Sequence, residues 1–108
     1  VSRDLGTLSA DLFAPLVGAD FALRVGDGST LTVRLSHCVT HPRATMVGSP
    51  RTAFGLEFER PAKGVPSFTG GDFVLSHPDL GEIGPLYVER ILPTGYGPNT
   101  AVFQIVFN

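Results

Sequence analysis

A chain of 108 residues, 43% of them hydrophobic, is one domain's worth of sequence. Chains of this size bury roughly two-thirds of their unfolded surface, enough for a core without disulfide or metal staples. The formal net charge of -2, with Arg, Asp and Glu scattered along the chain, leaves no basic stripe for a phosphate backbone and argues against a nucleic-acid partner. The longest uncharged apolar stretch, Ile91 to Asn108, is broken by Pro93, Gly95, Gly97, Pro98 and Asn99, so it is no membrane-spanning helix. The N-terminus shows no charged region followed by an apolar run, so no secretory signal is expected in the chain as given. Cys38 is the single cysteine, which excludes an intrachain disulfide and leaves the compartment open.

The first element, residues 8–18, reads as the one short helix. Ser9 is placed to cap it, Asp11 complements the positive end of the dipole, and Gly18 suits a left-handed stop. Pro15 limits it to one or two turns, with Leu12, Phe13 and Leu16 packing on a sheet as a plug over one end of the core. From residue 19 to 108 the period changes to two. Phe21, Leu23 and Val25 alternate with Ala22 and Arg24; Asp27-Gly28 turns; Leu31, Val33 and Leu35 alternate with Thr32 and Arg34. This is a hairpin with one wet face.

His41 to Ala53, with Pro42, Gly48 and Pro50, reads as a loop or irregular edge. Phe54, Leu56 and Phe58 form a strand ended by Pro61, and the segment from Arg51 to Arg60 has the look of an edge. Val65 and Phe68 of the next loop are placed to drop into the core. Phe73 and Leu75 open a second hairpin; His77-Pro78-Asp79-Leu80-Gly81 turns it, and Leu86 to Ile91 returns after Pro85. After the Tyr96-Gly97-Pro98-Asn99 turn, Ala101, Phe103, Ile105 and Phe107 alternate with Val102, Gln104 and Val106. This last strand is apolar on both faces and should be central, doubly covered or at a subunit contact. The expectation is a single all-β domain, a small β-sandwich or flattened barrel of about six short strands closed by the N-terminal helix.

His37, Cys38, His41 and His77 are metal-ligand types, but their spacing follows no tetrahedral pattern, and His37 and Cys38 face opposite ways on a strand. No metal site is expected. Cys38 lacks a confident base partner and reads as a small hydrophobe. Glu57 and Glu59 share a strand face as paired carboxylates must, yet a solvent-facing strand with Arg60 and Lys63 nearby produces the same spacing. Gly70-Gly71-Asp72 and Asp27-Gly28 lack the Lys-Ser/Thr and helix of a phosphate loop. Neither catalytic residues nor a cofactor site are expected, and no convergent polar constellation is visible.

Leu8–Phe21, Phe54–Pro61, Gly71–Gly81 and Val106–Asn108, with the Phe-x-Pro-Leu-x-Gly opening and the His-Pro-x-Leu-Gly turn, resemble an uncharacterised family of short bacterial proteins, a domain of unknown function. The sequence departs from that pattern at Gly84-Pro85 and at the Pro93 to Asn99 turn, which bears on the register of the second hairpin. Relatives tend to be encoded near phage tail-collar-like proteins, so the resemblance implies an extracellular or tail-like assembly. The family pattern also gives His77 a role in fixing its turn by hydrogen bonding. The reading is a non-enzymatic structural or interaction module that associates with protein, as a homo-oligomer or in a larger assembly; Val102, Gln104, Val106, Tyr87 and Tyr96 are the candidate interface residues. The alternative is a small carbohydrate- or ligand-binding β-sandwich, by fold analogy.

Overall fold

Strands with period-two hydrophobicity must bury one face, and this chain does so by closing its sheet on itself. The structure, a computed structural model, describes residues 8–24, 28–41, 53–65, 70–93 and 95–107. They form a short helix α1 (Ala10–Phe13) continued by a 3-10 turn (Ala14–Leu16). Six strands follow: β1 (Asp20–Arg24), β2 (Thr30–Thr40), β3 (Phe54–Pro61), β4 (Gly70–His77), β5 (Gly81–Ile91) and β6 (Thr100–Phe107). All pairings are antiparallel, in the closed order β1-β2-β3-β6-β5-β4, with β4 returning to β1 through Ala22↔Ser76, Leu23↔Leu75 and Arg24↔Val74. Of the sandwich and the barrel, the barrel forms. No helix of the described residues is long and apolar enough to cross a membrane.

Both expected hairpins are present, as β1–β2 and β4–β5. The inward faces are those of the alternation: Phe21 and Leu23; Leu31, Val33 and Leu35; Phe54, Leu56 and Phe58; Phe103, Ile105 and Phe107, all buried. Each such side chain contributes roughly 1.5–3 kcal/mol through removal from water. Phe13 of α1 is fully buried and closes one end of the barrel, with ring centroids 5.9 Å from Phe54, 6.2 Å from Phe107 and 6.5 Å from Phe21. Val65 packs against this core.

Several expectations need correction. Ser9 occupies the N-cap position in extended conformation, but its side chain makes no capping bond; its carbonyl accepts instead from Leu12 N–H at 3.1 Å. Gly18 does take a positive φ of 94°. β3 pairs along its length with both β2 and β6, so closure removes the edge expected at Arg51 to Arg60 for the described residues of that segment. β5 starts at Gly81 and not after Pro85. Gly84 and Pro85 together face the single residue Val74, a bulge in which proline's missing N–H leaves no ladder bond unmade. Gly84 has φ 143°, and a Cβ there would meet the Phe73 carbonyl oxygen at 2.9 Å, so only glycine fits. Val25, Asp27, Pro42, Gly48, Pro50, Arg51, Phe68 and Asn108 lie outside the described residues.

A second bulge decides which side chains of β2 face outward. Leu35 pairs with Phe58 and His37 with Glu57, so Ser36 is one residue more than β3 can match. An extra residue reverses the parity beyond it. Leu31, Val33 and Leu35 point inward, and after the bulge it is Cys38, not His37, that turns back against the core. Ser36 and His37 are left together on the outer surface.

Candidate functional site: a polar clamp on the outer face

The connection from β5 to β6 brings Tyr96 onto the sheet at this bulge. Its hydroxyl lies 2.7 Å from Ser36 Oγ, 2.9 Å from His37 Nδ1 and 3.1 Å from Glu57 Oε1. Ser36 Oγ also donates to the Glu57 backbone carbonyl at 3.0 Å. A phenol has one proton, which Tyr96 gives to the Glu57 carboxylate. The Tyr96 oxygen then accepts from His37, which requires the proton of a neutral His37 on Nδ1 and leaves Nε2 as an acceptor, and it shares the one Ser36 hydroxyl proton with the Glu57 carbonyl. Burial pushes the Tyr96 phenol above its ordinary value; the Glu57 hydrogen bond and the Glu57 and Glu59 charges act the same way, while the Ser36 bond opposes them.

These residues are 36, 37, 57 and 96, and their convergence corrects the expectation of no polar constellation. Chemically they form a clamp. Ser36 faces a carbonyl and a phenol, with the Tyr96 hydroxyl standing between it and His37, so no imidazole is placed to take its proton. Next to the clamp is a hollow of about 80 Å³ lined by His37, His41, Glu57 and Gln104 among others. The imidazole of His41 lies over Gly55, where a Cβ would meet its Nε2 at 3.3 Å.

The metal-type residues do not converge as a group. His77 sits on β4, two strands from β2 around the barrel. Its Nδ1 accepts from Asp79 N–H at 3.0 Å and its ring packs 4.7 Å from that of Phe21, which is the turn-fixing role implied by the resemblance. Cys38 donates to the Ala10 carbonyl at 3.7 Å, and burial, with Asp11, pushes its thiol up, the reverse of an activated thiolate. Among the described residues, no group of three or more His, Cys, Asp or Glu is arranged to hold a metal ion. Glu57 and Glu59 share the outer face as read, but Glu57 is engaged by Tyr96.

The candidate interface residues divide. Val102 is fully buried although it stands outside the main core cluster, so it offers no contact surface. Its parity is outward, but it lies between the barrel end from which the β5–β6 connection leaves and the sheet position reached by Tyr96. Tyr96 is partly buried in the clamp. Gln104 is half-buried, while Val106 and Tyr87 are 54% and 62% exposed. Tyr87 lies over Gly70, where a Cβ would overlap its hydroxyl. Val39 and Val106 flank Gly55 in one outward row across β2, β3 and β6.

No curated protein and no solved structure matches this chain. A family profile matches residues 8–107, nearly the whole barrel and its helical plug. The chain belongs to the family described as a domain of unknown function, DUF6916.

Proposed function

We propose that this domain is a non-enzymatic structural or interaction module, a subunit of an extracellular or tail-like assembly. The observation that carries the reading is the outward pair Val39 and Val106, 48% and 54% exposed, which flank Gly55 and the His41 imidazole that lies over it. Tyr87, 62% exposed on β5 at the outward parity of Glu89, is a further exposed aromatic, with its hydroxyl end over Gly70 of β4. Aromatic and aliphatic groups clustered on a rigid face are what a protein partner covers. Closure of the sheet supports association through a face rather than by strand addition. The Tyr96 clamp supports it too, because it holds the β5–β6 connection against the same sheet and limits the ordering cost of contact.

The test is Gln104→Lys, which puts a charge beside this pair without touching the core. Light scattering should show an assembled wild type and a folded, dissociated variant. A wild type that is monomeric at every concentration, or a variant that stays assembled, sinks the reading.

A further inference from the structure

The opposite side of the barrel carries a built feature that the assembly reading leaves unused. Thr32, Ala22, Ser76 and Glu82 stand in one outward row across β2, β1, β4 and β5. Ala22 makes the row low in the middle and the two hydroxyls flank it. With Asp20 and His77 these residues line an open trough of about 610 Å³. The trough continues past Asp20 and Thr32 into hollows lined by Arg34, Glu59 and Arg60. The row crosses four strands, three spacings of about 4.8 Å or about 14 Å measured around the barrel, room for a few linked sugar-sized units.

Two properties select the ligand. Charge is balanced along the path: Asp20 and Glu59 are both cross-strand partners of Arg34, with Arg60 beside them, and Arg24 bridges to Glu82 at 3.1 Å. A polyanion or polycation gains nothing from such a surface. Donors and acceptors are instead interspersed at fixed positions. His77 is one of them: because its Nδ1 accepts from Asp79, the neutral ring carries its proton on Nε2, and the contact with Phe21 holds that donor in place. An extended peptide would need a strand edge for its main chain, and a trough over a sheet face has none.

We propose that this trough binds a neutral polyhydroxylated chain, an oligosaccharide, with Asp20 and Glu82 accepting from its hydroxyls and Thr32, Ser76 and His77 donating to them. The site is independent of the Val39–Val106 face, so it stands or falls apart from the assembly reading.

The experiment is amide chemical-shift titration of the whole chain with maltohexaose, cellohexaose and chitohexaose in turn, each to about 10 mM, where weak lectin-like binding is measurable. At least one should saturate shifts at Ala22, Thr32, Ser76 and His77. Ala22→Arg, which fills the trough, and Glu82→Gln, which keeps its shape, should each weaken that binding by about tenfold with a native-like spectrum retained. The proposal is overturned if none of the three sugars shifts these amides or if the shifts map to the Val39–Val106 face. It is equally overturned if folded variants bind like wild type, or if an extended peptide competes for the site and the sugars do not.

Discussion

Phe13→Ala should open the end of the barrel. The ring is fully buried and lies within 6.5 Å, centroid to centroid, of Phe21, Phe54 and Phe107. Truncating a buried phenylalanine costs about 3–5 kcal/mol, and the three lost aromatic pairs place this site toward the upper part of that range. The neighbours belong to different strands held by ladders, so they cannot collapse into the void. Nor can α1 compensate: four α-helical residues and a three-residue 3-10 turn are too short to persist unless docked. Urea unfolding followed by circular dichroism gives the measurement. At about 4–8 °C per kcal/mol for a domain of this size, the melting temperature should fall by at least about 12 °C. A loss below about 1 kcal/mol would mean that the plug does not hold this end closed.

Three further outcomes follow from the same geometry. Phe103→Ala, on the inward face of β6, should cost about 3–5 kcal/mol, against about 1 or less for Glu57→Ala; equal losses would invert the assigned faces. Tyr96→Phe should remove an alkaline sensitivity. Its folded-state pKa lies above the ordinary value near 10, so the stability it contributes is fully present below that value and lost as pH rises through the folded one. Melting curves of wild type and variant should therefore converge above about pH 10, and parallel curves would refute the clamp. Zinc or a chelator should leave the melting temperature unchanged, since a ligand of the folded state must raise it.

The inward pattern of Phe54, Leu56, Phe58, Phe103, Ile105 and Phe107 was legible because strand parity is a local property. The bulge at Ser36 was not, since one surplus residue is defined only against its partner strand, and it alone decides that His37 faces out and Cys38 in. Gly84-Pro85 stood out as a departure from the family pattern, and it is where the second hairpin's register shifts. The clamp escaped for another reason. Tyr96 lies 60 residues from Ser36, on a connection whose composition signals a turn but not the direction in which it folds back. Val102 takes the covered of the two outcomes that an apolar outward position on this strand allowed, and its neighbours in sequence say nothing of what covers it.

The most direct test of the assembly account is sedimentation velocity of wild type and Val106→Lys across a wide concentration range. Val106 is half-exposed on the outward row, so lysine there leaves the core intact while charging the surface. The account predicts a wild type that sediments as an assembly and a folded variant that sediments as a monomer. Identical sedimentation of the two, whether both monomeric or both assembled, would contradict it.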